Sequence, residues 1–196
     1  MPSLPYIGFS LAWLLALYLL NCLISRSLKR INLKQAVLYF CTTAMIGLFG
    51  EIFLDTFYKW AFGTPLWRYN VAPIHLAYTS SFAIVTWGLY GFHLYLLHGT
   101  LRARSISKSW HLALIISVEA LFLEAALTLS AKPFFGDFMY YYYPNGLWHV
   151  SAFQNIPFYF IFGFVIINVL RRFQTSPRFF SILAAWLTFI IAFMTV

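Results

Sequence analysis

Acidic residues are scarce in this chain. There are five in 196, against thirteen Lys and Arg, and charged residues of both signs make up 9% while 62% are hydrophobic. A solvated charged surface cannot be built from that supply, and long apolar runs, not a soluble core, account for it. Cysteine is nearly absent, and Cys22 and Cys41 both fall in apolar runs, so there is no disulfide framework and no statement about redox compartment. No glycine-rich phosphate loop occurs, which removes ATP hydrolysis. No apolar run holds an interior lysine (Lys59 lies at an edge), which removes a retinal-type chromophore. No strand-to-helix nucleophile elbow surrounds Ser80 or Ser81. Histidines and acids lack HxxxH or ExxH spacing, so a metal site has no signature. A haem held by His75 and His149 has nothing else in its favour. We expect no metal and no cofactor.

What is there is hydrophobic length. A bilayer core takes about 20 apolar residues per helix, and six runs qualify: Tyr6–Ile24, Ala36–Trp60, Pro73–His98, Trp110–Ser130, Gly146–Leu170 and Phe179–Val196. The opening stretch lacks a basic leader and a small-residue cleavage site, so it reads as a retained first helix. The connections "SRSLKRINLK", "GTLRARSISKS" and "RRFQTSPR" hold ten of the thirteen basic residues. That bias places loops one, three and five in the cytoplasm and both termini outside. The net charge of +8 is thereby explained without nucleic acid. The expectation is an all-α protein: a polytopic six-helix transmembrane bundle forming one domain, residues 1–196, in the plasma or inner membrane if the source is bacterial. The oligomeric state is open.

The two outer loops, "AFGTPLWRYNVA" and "AKPFFGDFMYYYYPN", are rich in Trp, Tyr and Phe. An interfacial aromatic belt would explain the rings, but not the charged and amide groups among them. Segments two–three and four–five also look related. Aligning them pairs Asp55 with Glu124, Tyr69 with Tyr140, Pro73 with Pro144, Ser80 with Ser151 and Phe82 with Phe153. Each unit is an acid-bearing helix, an aromatic loop and a returning helix. The units share an orientation, so the repeat is parallel, about an axis along the membrane normal.

Four of the five acids, Glu51, Asp55, Glu119 and Glu124, lie inside expected spans. A lone charged carboxylate at mid-bilayer costs about 3 kcal/mol or more, so each must be neutral, paired or facing a wet cavity. Glu51 and Asp55 are four apart and share a helix face. Glu124 lies at similar depth, and Glu119 is deeper and about 140° around the helix from it. His75 and His149 enter near the same depth, followed by Gln154 and Asn155. Pro157 should kink the fifth span. Arg68, Tyr69, Asn70, Asp137 and Asn145 could lid the site, and Trp67, Tyr141, Trp148 and Tyr159 could rim it. Structural hydrogen bonding between helices could account for one acid but accounts poorly for four at matched depth.

Such a cluster suits proton chemistry on a lipophilic substrate. A neutral acid in an apolar pocket can protonate an alkene or epoxide, aromatic faces can stabilise the cation, and a second carboxylate or His can remove a proton or direct a water. Glu51 and Asp55 are the expected donor pair, with Glu119, Glu124 and His149 as bases or orienting groups and His75 as a further partner. The rival is a transporter or permease component for a small lipophilic or cationic solute, using the acids as proton carriers. A third reading is a structural subunit whose polar cluster docks a partner helix. The expected partner in the first two cases is a membrane lipid or lipophilic small molecule.

Two resemblances accompany these motifs, covering mainly residues 46–170. "GLFGEIFLD", followed by "LEAAL…YYYYP…NIPFYFIFGFVI", resembles small membrane proteins of the type IV ABC-transporter permease group, which also pair an acid-bearing helix with an aromatic outer loop. "E…FGTPLWRYNVAP" is similar to part of the carotenoid hydratase and cyclase group. That resemblance implies acid-initiated addition or ring closure on isoprenoids, with Glu51 as the counterpart of the acid on the second helix.

Overall fold

The computed structural model describes residues 4–71, 74, 79–106, 108–144 and 146–194. Six helices carry the fold: α1 (Leu4–Ser25), α2 (Leu33–Phe62), α3 (Ser81–Ala103), α4 (Ser109–Phe135), α5 (Asn155–Phe173) and α6 (Pro177–Met194). Two short strands, β1 (Trp67–Tyr69) and β2 (Tyr140–Tyr142), interrupt them. Among the described residues, five helices are long and apolar enough to cross a membrane. The sixth, α3, matches them in length at 23 residues but not in hydropathy, since Thr86, His93, His98 and Thr100 punctuate it.

Local chemistry sets the helix ends. The Asn32 side chain accepts the Gln35 N–H ahead of α2, and the Ser80 hydroxyl accepts the Phe82 N–H ahead of α3. Gly63 and Gly136 end α2 and α4, both at φ 79°, each donating its N–H to a lysine carbonyl one turn back at 2.8 Å, Lys59 and Lys132 respectively. Two helices start later than hydropathy suggests. The third begins at Ser81, not Pro73, and the fifth at Asn155, not Gly146. In the fifth case Leu147, Trp148 and His149 occupy the left-handed region, at φ 41°, 53° and 62°. Pro157 consequently lies in the first turn of α5, where a missing N–H costs nothing, and does not kink the span as expected.

Packing centres on α2, which contacts α3, α5 and α6, while α4 packs on α5, and α1 on α3 and α4. The α2–α3 approach depends on glycine. A Cβ at Gly91 would run into the Tyr39 carbonyl, and one at Gly47 into the Trp87 ring. A carbonyl oxygen on a packed helix cannot swing aside. Gly91→Ala is therefore expected to destabilise the fold by about 1–3 kcal/mol, read as a lower melting temperature in detergent. An unchanged melting temperature would mean that the two helices are not so apposed.

The strands form an antiparallel ribbon with Trp67 opposite Tyr142, Arg68 opposite Tyr141 and Tyr69 opposite Tyr140. Its ends are closed by Tyr143 N–H to Leu66 C=O and Asn70 N–H to Met139 C=O, both 3.0 Å. Trp67, Tyr69, Tyr140 and Tyr142 are buried against the helices, while Arg68 points away. The basic connections gather at the opposite end, where Lys29 donates to Thr100 (2.7 Å) and Arg104 to the Ile24 carbonyl (2.7 Å).

Candidate functional site

Between the ribbon and the helices lies a cavity of about 90 Å³. One water needs about 10–15 Å³ by the same measure, so the space holds several waters or part of a larger molecule. Glu51 of α2 and Glu124 of α4 both line it.

Each carboxyl is held by donors from its own hairpin. Glu51 accepts from the Tyr69 hydroxyl (2.7 Å to Oε1, 2.9 Å to Oε2), the Trp87 indole N–H (2.8 Å) and the Thr79 hydroxyl (2.8 Å). Glu124 accepts from the Tyr142 hydroxyl, the Ser151 hydroxyl (2.5 Å) and the Asn155 amide (3.3 Å). The same Asn155 nitrogen also donates to the Tyr142 oxygen at 2.8 Å. Burial pushes the Tyr69 and Tyr142 phenols well above their ordinary pKa, and the carboxyl each one faces pushes in the same direction. These two phenols therefore keep their protons and remain donors at neutral pH.

Of the expected site residues, Glu51, Glu124, Trp67, Tyr69, Asn155 and Tyr159 converge on this cavity. Asp55 does not. It is fully buried one turn from Glu51, and its Oδ1 accepts the backbone N–H of Leu66 (2.5 Å) and Trp67 (3.3 Å). It thus fixes the chain entering β1, and the carboxyl that shares the cavity with Glu51 is Glu124, not Asp55. Glu119 is also elsewhere. It accepts from His93 Nε2 at 2.8 Å, and His93 Nδ1 meets the Asn21 amide at 2.8 Å, joining α4, α3 and α1. His149 donates from Nδ1 to the Tyr142 carbonyl (2.7 Å) and stacks on Tyr141 (4.5 Å between centroids), outside the cavity.

Arg68 lies over the same Tyr141 ring at 5.5 Å. Asn70 serves through its backbone at the ribbon edge. Gln154 is exposed ahead of α5, and Trp148 is 85% exposed. His75 and Asn145 lie outside the described residues. Trp87, Tyr90, Tyr140 and Tyr142 line the cavity without having been singled out as site residues. A signal existed for the first two, since Trp87 and Tyr90 are three apart and share the α3 face that carries Thr86.

Among the described residues no three His, Cys, Asp or Glu side chains group as metal ligands. No protein-family model, no curated protein and no solved structure matches the chain.

Proposed function

We propose that the chain is an integral membrane enzyme that uses Glu51 and Glu124 for acid–base chemistry on a lipid or isoprenoid: a hydration, cyclisation or isomerisation. The observation that carries this is one cavity, mostly apolar and aromatic, into which two carboxyls from different helices project. For isomerisation, the protonated carboxyl gives its proton to one alkene carbon. The resulting cation lies against the aromatic walls, and the other carboxylate takes a proton from a neighbouring carbon. For hydration, a water adds to the cation and the second carboxylate takes the water's proton. Either way one carboxyl has lost a proton, the other has gained one, and the pair has exchanged roles.

The test is mass spectrometry of lipids incubated with the protein in D₂O. Proton addition at carbon leaves a deuterium in the product. Absence of solvent deuterium from every extracted lipid and isoprenoid would sink the enzyme reading.

The repeat belongs to the same proposal. Glu51, Lys59, Gly63, Leu66 and Arg68 recur as Glu124, Lys132, Gly136, Met139 and Tyr141 at one constant offset, in matching roles. Hydrogen bonding thus favours Glu51, not Asp55, as the equivalent of Glu124. Tyr69 and Tyr140 are then cross-strand partners instead of equivalents. A two-fold relating antiparallel strands runs perpendicular to their ribbon, here between Arg68 and Tyr141, which agrees with an axis along the membrane normal and a ribbon lying flat across the outer end. Six spans with both termini outside follow from the basic connections at the other end.

Transport of a lipophilic or cationic solute has one observation in its favour. Buried and half-buried polar groups continue beyond the cavity toward the basic end, through Asn21–His93–Glu119 and then His98, whose Nδ1 lies 2.6 Å from the Tyr39 hydroxyl. A docking subunit would need its acids on an outward stripe, and Glu51 and Glu124 face inward.

A further inference from the structure

We propose that the cavity receives an organic cation: an ammonium centre on a hydrocarbon chain, held between Glu51 and Glu124 against aromatic faces. This rests on the reading of the cavity as the ligand site, and not on any reaction occurring there.

The charge pattern of the wall points this way. All the donors to the two carboxyls named above are neutral: hydroxyls, an indole and an amide. Two of these, the Trp87 indole N–H and the Asn155 amide nitrogen, can only donate, so the oxygens they meet are acceptors. Among the described residues, none lining the cavity is Lys, Arg or His. Among the described residues the wall therefore sets two carboxyls against no positive charge, in surroundings where an uncompensated carboxylate is costly. A cationic ligand supplies that compensation.

The rings provide the second half. Ten of the twenty-one lining residues are aromatic, far above the 21% of the chain as a whole, so aromatic faces are concentrated here. They meet at steep angles. Tyr69 and Tyr140 are 5.4 Å apart at 82°, Trp87 and Tyr90 6.1 Å at 79°, and Trp87 and Tyr159 6.3 Å at 68°. Rings set edge to face enclose a volume from several sides, the arrangement that recognises ammonium groups through cation–π attraction. Leu54, Leu89 and Leu127 complete the wall with surface for a hydrocarbon chain. The same chemistry describes two sources of positive charge: a stable ammonium solute, or the transient carbocation formed on a neutral isoprenoid.

The experiment places the full-length protein in phosphatidylcholine nanodiscs and measures equilibrium binding of radiolabelled dodecyltrimethylammonium, with empty discs subtracted. The competitor is the neutral isostere in which a quaternary carbon replaces the nitrogen. Saturable binding is expected, with the isostere about 30-fold weaker than the unlabelled ammonium, as for a desolvated cation on aromatic faces. Combined Glu51→Gln and Glu124→Gln substitution is expected to weaken ammonium binding by a similar factor, and Asp137→Asn, at an exposed acid, to leave it unchanged.

An isostere that competes as well as the ammonium overturns the cation and leaves a merely apolar cavity. Asp137→Asn weakening binding as much as the double substitution overturns it in favour of surface charge. Saturable binding of neither chain overturns it together with the reading of the cavity as a ligand site. The isostere comparison is made on the wild type, so it stands even if the double variant fails to fold. With cation binding established, inhibition of deuterium uptake by the ammonium assigns the site to a carbocation, and binding without any deuterium uptake assigns it to a stable ammonium solute.

Discussion

Glu51→Gln and Glu124→Gln are each expected to cut deuterium incorporation by about 10²–10⁴-fold, the range for losing a positioned acid or base. Glutamine has the shape of glutamate, and its carbonyl still accepts from the surrounding donors. The hydroxyls of Tyr69 and Thr79 around Glu51, and of Tyr142 and Ser151 around Glu124, can turn to accept from the new amide. Both variants should therefore fold and differ in chemistry. Because a proton given by one carboxyl is balanced by a proton taken by the other, the double variant should be little worse than either single one. The assay is mass spectrometry in D₂O, normalised to folded protein by melting in the same detergent. Wild-type incorporation by either variant would remove the two-carboxyl mechanism.

Asp55→Ala is expected to do the opposite: to cost stability and spare chemistry. The buried N–H groups of Leu66 and Trp67 lose their acceptor, and stranding buried donors costs about 1–3 kcal/mol each, so a loss of about 2–5 kcal/mol follows. Asp55→Asn keeps an oxygen where Oδ1 stands and should recover most of it. Deuterium incorporation per folded molecule should match the wild type in both. If Asp55→Asn were stable yet inactive, Asp55 would hold a chemical role that its absence from the cavity wall denies.

Helical boundaries were legible where the ends carry charge or glycine. The first, second and sixth helices begin and end close to the expected residues, and the fourth begins there but runs past the expected Ser130 to Phe135, where Gly136 stops it. The third and fifth were misplaced for a physical reason. The approaches to α3 and α5 are as apolar and aromatic in sequence as a span, and hydropathy measures exclusion from water, not hydrogen-bond geometry. Ser80 as a cap and Pro157 as a first-turn residue were the available signals.

At the site, Glu51, Glu124, Tyr69, Asn155 and Tyr159 could be gathered by depth alone. Asp55 could not be told from Glu51 by spacing, because residues four apart share a face about 40° wide, and which edge of it meets a neighbour is decided by packing. His93 shows the same limit. Nothing in its spacing reveals its bonds to Asn21 and Glu119 across two other helices.

The sequence separations of the hydrogen bonds bear on how the chain is made. Glu51 finds its donors 18, 28 and 36 residues further along, and Glu124 finds its own 18, 27 and 31 residues on. Each acid can thus enter the lipid already clasped by the hairpin that carries it, with no help from the other half of the molecule. The Asn21–His93 bond spans 72 residues and must wait for helices to dock. If the chain inserts hairpin by hairpin, the most expensive groups are provided for first, and the cavity forms only when the two hairpins close their ribbon.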